Sequence, residues 1–220
     1  TFPEDRVAYA PTSAAQVRDS YDFGGGELTL DLSDVSDVDA LDGRVGRYLF
    51  ISTGSVYDRT KASDGLTEET PRLAPERGTE EITGETYGPL KVACEDDVLA
   101  RYGDQATIVR PGIVAGPHDP TDRFTWWVRR AARGGRVALP GRADQPVQVV
   151  DSRDLARLVT RLASDDRGGV YNAVGPQQPV TLAELVQACA AAAGTSVEVV
   201  PVDPGAVDPG FPLVLPDQTW

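Results

Sequence analysis

The stretch ETYGPLKVACEDDVLARYGDQATIVRPG, residues 85–112, contains the two patterns that decide the fold. Residues 87–101 have the apolar spacing of an amphipathic helix, and the run ATIVRP at 106–111 is typical of a buried parallel strand. Similar β-branched runs occur at 6–10, 47–53, 146–151, 169–174 and 196–202. Further helical patterns occur at 122–134, 152–164 and 181–193. Because strands and helices alternate, the sequence predicts an α/β fold with a mostly parallel sheet and flanking helices.

The helical pattern at 181–193 also carries signals for its two ends. Thr181 is followed three residues later by Glu184, which is the spacing of a capping box. Gly194 comes directly after the pattern, where a glycine commonly ends a helix. We therefore expect a helix with well-defined boundaries here.

Length and charge limit the class of protein. A chain of 220 residues suits one compact unit, so we predict a single α/β domain over 1–220. With 34 acidic and 21 basic residues, the formal net charge is -13. A field of this sign repels a phosphate backbone, which argues against nucleic acid as a partner and leaves a small-molecule substrate.

The sequence shows no signal for membrane insertion or export. No window approaches the 18 or so consecutive apolar residues of a membrane-spanning helix, and the start TFPEDR lacks the features of a signal peptide. We therefore expect a soluble cytoplasmic protein without a membrane partner. Methionine is absent from the sequence, which leaves open whether Thr1 is the first residue of the gene product.

The two cysteines, Cys94 and Cys189, lie in Ala-rich helical stretches. Neither belongs to a CxxC motif or has a histidine at metal-ligand spacing. This placement favours buried free thiols over a metal site or a disulfide.

Three segments do not follow the strand and helix pattern. Residues 19–43 contain a triple glycine, but the strand-like run ELTLDL follows it where a phosphate-binding loop would lead into a helix. A hairpin or a flexible turn is therefore expected there. Residues 58–84 are polar and include two prolines, which predicts a long surface loop. Residues 203–220 are typical of an irregular tail.

Polar side chains follow three of the expected strands, where the ligand sites of parallel sheets gather. Ser52, Thr53 and Ser55 follow the strand at 47–53, and Tyr87 and Lys91 begin the helix after the long loop. The loop after ATIVRP holds the one histidine of the chain, His118, which we interpret as a loop residue.

The spacing of Tyr87 and Lys91 places both side chains on one helix face. A tyrosine of pKa about 10 is a poor proton donor or acceptor at neutral pH, but a neighbouring ammonium group lowers that pKa. A hydroxyl from Thr53 or Ser52 would hold a substrate carbonyl or alcohol beside the phenol. Such a site suits alcohol oxidation, ketone reduction or enolisation. The alternative is that the tyrosine and lysine are ordinary helix residues and that the hydroxyls cap a turn.

Several segments, in this order along the chain, resemble the extended short-chain dehydrogenase/reductase family, the NAD-dependent epimerase/dehydratase group. The resemblance covers roughly residues 45–190 and, weakly, 5–18, and its order makes it more specific than one motif. It rests on the segments LFISTGSVYD, ETYGPLKVACE, IVRPGIVAGPHDPTDRF, PVQVVDSRDLARLV and GVYNAVGP.

The resemblance implies roles for individual residues. Tyr87 would be the general acid/base, Lys91 would lower its pKa and bind the nicotinamide ribose, and Thr53, or less favourably Ser52, would complete the triad. The cofactor would be NAD or NADP, and three residues of one loop would pass close to its nicotinamide: Pro111, Gly112 and Ile113. The segment facing the substrate would include Arg123, Trp126 and Trp127, with Ser55 nearby. For the tryptophans, packing in the core is an equally good interpretation.

The sequence departs from the family at its start. The GxxGxxG loop that cradles the pyrophosphate is absent, which implies a truncated Rossmann-like fold. Residues 5–111 would form a partial Rossmann-like half and 112–220 a substrate-side segment and tail. The strand at 6–10 would then be an exposed sheet edge, which ELTLDL or a second copy of the chain, in a homo-oligomer, could cover.

Two hypotheses about activity follow. In the first, the chain is an NAD(P)-dependent oxidoreductase of the epimerase/dehydratase kind that acts on a carbonyl or alcohol, sugar-nucleotide-like or small. In the second, it uses no cofactor, and the Tyr/Lys/Thr site performs isomerisation, dehydration or cyclisation. A binding protein without activity is a third interpretation, and the complete triad argues against it.

Overall fold

A computed structural model describes residues 18–22, 27–31, 41, 43–62, 65–117, 122–203 and 205. Four helices lie in these ranges: α1 (Tyr87–Tyr102), α2 (Thr125–Ala132), α3 (Ser152–Ser164) and α4 (Leu182–Ala192). The strands are β1 (Arg18–Asp22), β2 (Glu27–Asp31), β3 (Tyr48–Ile51), β4 (Ala106–Pro111), β5 (Ile113–Ala115), β6 (Gly135–Pro140), β7 (Pro146–Val147), β8 (Val149–Asp151), β9 (Gly169–Ala173), β10 (Val180–Thr181) and β11 (Val197–Val202).

The central element is a parallel sheet of three strands in the order β3-β4-β9. All six residues of β4 are buried, as expected for a strand with a neighbour on each side and helices over its faces. Helix α1 packs against β3 and β4 on one face, and α3 packs against β4 on the other. The α/β fold with mostly parallel strands and flanking helices is thus confirmed.

The remaining strands do not extend this sheet. Strand β5 pairs in parallel with β8, β6 pairs in parallel with β11, and β7 pairs antiparallel with β10. The predicted strand at 146–151 is therefore two short strands with different partners. Strand β6 was not expected from the sequence, and it gives the predicted strand at 196–202 its partner.

Helices α2 and α4 cover the β6 and β11 side of the molecule. Their buried residues, with those of β6 and β7, form one core cluster: Trp127, Ala131, Val137, Leu139, Val147, Leu182, Val186 and Ala190. The capping box is confirmed, because the Thr181 hydroxyl accepts from Glu184 N–H and the Glu184 side chain accepts from Thr181 N–H. Gly194 follows with a φ of 70°, a value that favours glycine at a helix end.

The strands on either side of the triple glycine pair with each other, as expected for a hairpin. β1 pairs antiparallel with β2, with Asp22 opposite Glu27 at its closed end. The predicted strand at 6–10, His118 and the tail beyond 205 lie outside the described residues. In the described part of the long loop, the regular elements are a 3-10 turn at Arg59–Lys61 and an isolated bridge between Tyr57 and Arg72.

The cysteine prediction is correct in one respect and wrong in another. Neither cysteine forms a disulfide, but Cys94 is exposed on α1 and Cys189 is only half-buried on α4. Cys94 lies on the face of α1 that points away from the sheet, so a cysteine in an Ala-rich helix was not enough to predict burial.

Within the described ranges, none of the helices is long and apolar enough to cross a membrane.

Candidate active site

The carboxyl ends of β3, β4 and β9 meet at one edge of the central sheet. Ser52 N–H donates to the Val109 carbonyl at 2.7 Å, and Gly112 N–H donates to the Ala173 carbonyl at 3.0 Å. These bonds continue the strand pairing into the loops. The predicted site residues that follow each strand therefore lie side by side, as parallel strands require.

The start of helix α1 lies directly against the loop after β3. Gly88, in the first turn of α1, is buried, and a Cβ there would collide with the Ser55 carbonyl oxygen and approach Leu73 Cδ1 to 3.1 Å. Only glycine allows this approach of helix and loop. The contact brings the first turn of α1, with Tyr87, beside the loop that carries Thr53 and Ser55.

We expect Gly88→Ala to destabilise the protein by about 1–3 kcal/mol, because the new methyl group must displace backbone. Gly84→Ala is the matched control, since no atom lies within 4 Å of its Cβ position and its φ is not positive. The control should be neutral or slightly stabilising. Chemical denaturation of both variants measures the difference, and equal stability of the two would contradict the close approach.

Lys91 lies one turn after Tyr87 and reaches the end of β3. Its Nζ donates to the Ile51 carbonyl at 3.0 Å and lies 4.6 Å from the centre of the Phe50 ring. Burial lowers the pKa of Lys91, and the nearby Cys94 and Glu95 partly oppose this effect. The ammonium group is therefore held at the sheet edge beside the first residues of the candidate site.

Tyr87 remains accessible at the same edge. Its side chain is 37% exposed, and among the described residues its hydroxyl has no hydrogen-bond partner. A free phenol next to a sheet edge leaves its oxygen available to a ligand.

The hydroxyl residues after β3 differ in their surroundings. Thr53 Oγ1 accepts from Ser55 N–H at 3.2 Å and lies 3.3 Å from Ser55 Oγ, so it caps the 3-10 turn at Gly54–Val56. This is the turn-capping role that the sequence allowed as an alternative. Ser55 is exposed. Ser52 is 4% exposed, and its Oγ has no hydrogen-bond partner in the described part of the chain.

A buried charge network below this edge was not expected from the sequence. Glu95 on α1 is fully buried and accepts two hydrogen bonds from Arg110 on β4, at 2.9 Å from Nε and 2.6 Å from Nη2. Arg110 Nη1 also donates to the Tyr57 hydroxyl at 2.8 Å. The available signal in the sequence is Glu95, a charged residue at a position that the helical spacing places on the buried face of α1.

The network continues to β9 and to the long loop. The Tyr57 hydroxyl donates to Asn172 Oδ1 at 2.7 Å, and Asn172 N–H donates to Glu68 Oε1 at 2.7 Å. Burial raises the pKa of Tyr57, although Arg110 opposes this, so the phenol keeps the proton that it donates. These bonds tie the three strand ends and the long loop together.

The charge state of Glu95 follows from its partners. Burial acts to raise the pKa of this carboxyl, but hydrogen bonds and charge from Arg110, together with the charge of Arg72, hold the pKa below its usual value. The Ser52 hydroxyl also lowers it, although its position falls short of hydrogen-bond geometry. Glu95 is therefore ionised at neutral pH.

The predicted cofactor and substrate residues fall in two places. Gly112 lies against Val174, with 3.3 Å between its Cβ position and Val174 Cγ1, and Val174 is 50% exposed at the site edge. Trp127 is fully buried in the core beside α4, so its indole offers no surface to a ligand. Trp126 packs partly against this core, edge-on to Trp127, and Arg123 is exposed.

The charges of the chain are unevenly distributed. Residues 122–142 contain six arginines and one aspartate, a net charge of 6 - 1 = +5 in a protein whose formal net charge is -13. The segment spans α2, β6 and the loop between them. Three of its arginines pair with carboxylates: Arg129 with Asp122, Arg136 with Glu198 and Arg142 with Asp144.

Comparison with known families decides the lineage. The model of the NAD dependent epimerase/dehydratase family matches residues 23–174, more than half of the chain. The chain belongs to this family. The epimerase/dehydratase match includes β3, β4 and β9 and the first turn of α1, the elements that form the candidate site.

Solved structures share the epimerase/dehydratase fold at low identity. UDP-glucuronic acid 4-epimerase from Bacillus cereus, in complex with NAD, aligns with a TM-score of 0.57 and 19% identity over 76% of this chain and 53% of that chain. RMD from Pseudomonas aeruginosa, complexed with NADPH, aligns with a TM-score of 0.55 and 23% identity over 71% of this chain and 54% of that chain. UDP-N-acetylglucosamine 4-epimerase from Bacillus cereus aligns with a TM-score of 0.56 and 19% identity over 76% of this chain and 58% of that chain.

The chain spans about half the length of these epimerase and reductase structures. A comparison with curated proteins finds no significant match.

Proposed function

We propose that the protein is an NAD(P)-dependent epimerase/dehydratase-like oxidoreductase that acts on a carbonyl or alcohol of a sugar-nucleotide-like substrate. The observation that carries the proposal is the position of Lys91, one helical turn from an exposed Tyr87 and bonded to the last residue of β3. Family membership supports the choice of this chemistry.

In this proposal Tyr87 exchanges a proton with the substrate oxygen. A positive charge one helical turn away favours loss of the phenol proton, so Lys91 would assist the proton transfer. The Thr53 hydroxyl, which donates to Ser55 Oγ at 3.3 Å, would turn to donate to the substrate oxygen and hold it beside the phenol.

The residues at the edge fit the nicotinamide half of the cofactor. Lys91 could bind its ribose, and Gly112, between Pro111 at the end of β4 and Ile113 at the start of β5, lies against Val174. Ile51 and Val174 add exposed apolar surface of the kind that a nicotinamide ring covers. When bound, NAD(P) accepts or supplies a hydride.

The positive segment at 122–142 supports an anionic substrate. A net charge of +5 over 21 residues attracts the phosphates of a sugar nucleotide, whereas the rest of the chain repels them. Arg123, one of the predicted substrate residues, is exposed in this segment.

Nucleotide binding tests the redox part of the proposal. Purified protein titrated into NADH or NADPH should enhance and blue-shift the reduced nicotinamide fluorescence. A signal that does not change with either nucleotide would contradict redox chemistry and leave the non-redox acid/base reaction, isomerisation, dehydration or cyclisation. Activity assays with UDP-, dTDP- and GDP-sugars should then show which class of sugar nucleotide the protein turns over.

We expect Lys91→Met to move the pH optimum of activity to higher pH. Removing the ammonium group takes away the positive charge that would favour transfer of the phenol proton, so a higher pH is needed for the same rate. The profile of kcat/KM against pH measures the shift. Lys61→Met is the matched control, because Lys61 is 60% exposed and pairs with Asp58 in the long loop. An unmoved profile for Lys91→Met would remove Lys91 from the mechanism.

A further inference from the structure

Arg72 joins the long loop to the helix that carries the candidate site. Its Nη1 donates to Glu95 Oε2 at 3.1 Å, and its Nη2 donates to Asp96 Oδ1 at 2.8 Å. One guanidinium group thus bridges two neighbouring carboxylates of α1. Its side chain is only 28% exposed, so the bridge is partly shielded from solvent.

The residues on both sides of Arg72 are held to the loop after β3. Asp58 N–H donates to the Pro71 carbonyl at 2.8 Å, and Leu73 N–H donates to the Val56 carbonyl at 2.8 Å. Leu73 also packs against the apolar cluster of Val56, Tyr57 and Val92. The segment 71–73 is therefore a fastened part of the long loop, and Arg72 is its contact with α1.

Glu95 connects this contact to Lys91. The two residues are one turn apart on α1, and the Glu95 carboxylate acts to raise the pKa of Lys91 while burial lowers it. The groups that face Lys91 are Cys94 and Glu95 from its own helix and the Ile51 carbonyl and Phe50 ring from β3.

Two arginines from outside α1 neutralise part of the Glu95 charge and so limit how far Glu95 raises the pKa of Lys91. Arg110 neutralises the carboxylate from β4, and Arg72 does so from the long loop. Arg110 is buried within the sheet, so its contact does not depend on the loop. Of the two arginines, only Arg72 neutralises Glu95 through a contact between the long loop and α1.

We propose that Arg72 is a positioning residue: it fastens the long loop to α1 and, through Glu95, couples the contact between that loop and the helix to the charge of Lys91. The role of Lys91 in turnover rests on the proposed function, but the coupling itself does not. The loop must then be seated before the site reaches its working state.

The sequence makes Lys91 accessible to direct measurement, because Lys61 and Lys91 are its only lysines. In protein labelled with ¹³C and ¹⁵N at lysine, the side-chain Cε and Nζ signals titrate separately, and Lys61 serves as the internal reference. We expect Arg72→Gln to raise the Lys91 pKa by about half a unit or more, since a partly screened positive charge is lost. The Lys61 pKa should not change.

Arg77→Gln is the matched control for this variant. Arg77 also lies in the long loop and also binds α1, through Asp97 and the Ala93 carbonyl, but it does not contact Glu95. It should leave the Lys91 pKa unchanged. Arg72→Lys, which keeps the charge near Glu95, should restore the Lys91 pKa to within about 0.2 units of the original value.

Hydrogen exchange measures the fastening of the loop. Faster exchange of the Asp58 and Leu73 amides is expected for Arg72→Gln and not for Arg77→Gln, because their bonds to the Pro71 and Val56 carbonyls lose their support. A change in exchange or melting temperature without a change in the Lys91 pKa would make Arg72 merely structural and overturn the proposal.

If Arg72→Gln does not fold, Asp96→Asn tests whether Arg72 fastens the long loop to α1. This change weakens the half-exposed arm of the bridge while Glu95 keeps both arginines. Faster exchange of the Asp58 and Leu73 amides supports the fastening, and unchanged exchange overturns it.

The test remains informative if the proposed function fails. The Lys91 pKa and the amide exchange rates do not depend on turnover, so a protein without NAD(P)-dependent activity still reports the coupling. Where activity is found, kcat for Arg72→Gln should fall about tenfold, and for Arg77→Gln by less than about twofold.

Discussion

Tyr87→Phe should lower kcat by at least about a hundredfold and leave the melting temperature nearly unchanged. The loss follows because positioned general acid/base groups contribute roughly 10²–10⁴ in rate. Stability should hold because the side chain is 37% exposed and, in the described ranges, its hydroxyl has no partner to lose. Steady-state kinetics and thermal melts on the same preparation measure both quantities.

Tyr171→Phe is the matched control for this prediction. The Tyr171 hydroxyl donates to the Gly168 carbonyl at 2.9 Å, near the start of β9 and away from the site edge. Its removal should cost about 1 kcal/mol of stability and leave turnover unchanged. Retained turnover in Tyr87→Phe with a large loss of stability would show that the Tyr87 phenol is structural.

The largest expected effect on stability comes from Glu95→Gln. The change leaves the Arg110 guanidinium buried without its carboxylate, and breaking a buried pair in this way costs about 3–5 kcal/mol. Small domains are stable by only about 5–15 kcal/mol, so the variant should approach the limit of folding. Urea denaturation of the variant and the original protein measures the change.

The pH dependence of stability provides an independent check on Glu95. Its pKa is lowered in the folded protein from the usual 4.5, so the carboxylate contributes stability above about pH 4.5, and this contribution is lost as pH falls through the folded pKa. Glu95→Gln should lose less stability than the original protein over this acid range.

A surface pair on the same helix supplies the comparison. Asp97→Asn removes a partner of Arg77 in a pair whose side chains are 53% and 54% exposed, and exposed pairs contribute little. Its free energy of unfolding should stay nearly unchanged. A Glu95→Gln variant as stable as Asp97→Asn would mean that the buried pair is not required.

Local patterns predicted the fold best where one interaction dominates. ATIVRP forms β4 over the full expected range, because a run with neighbours on both sides must be apolar. The helix expected at 152–164 and the capping box at Thr181 are also confirmed, since both depend on contacts within a few residues.

Strand partners were harder to predict, because pairing depends on distant residues. GRVALP became β6 only through its register with β11, about sixty residues later, and PVQVVD divided between two partners. The periodicity of a short apolar run contains no information about which strand it meets.

The candidate site was predictable only in its outline. The strand-end rule placed Thr53, Tyr87 and Lys91 at one edge, and their catalytic roles remain predictions. The Glu95–Arg110 pair was missed because Arg110 lies within a strand that was interpreted by its apolar residues alone. Glu95 falls between Val92 and Val98 on the buried face of α1, and a charge in that position was the available signal.

The hydrogen bond from Asn172 N–H to Glu68 also bears on how the sheet avoids aggregation. β9 is the last strand of the central sheet in the described part of the chain, and an unprotected edge invites pairing with a foreign strand. The Glu68 carboxylate accepts a hydrogen bond from the backbone N–H of Asn172, the fourth of the five residues of β9, and therefore lies beside this edge. An incoming strand would have to displace this hydrogen-bonded carboxylate, so Glu68 opposes intermolecular β-pairing at the β9 edge.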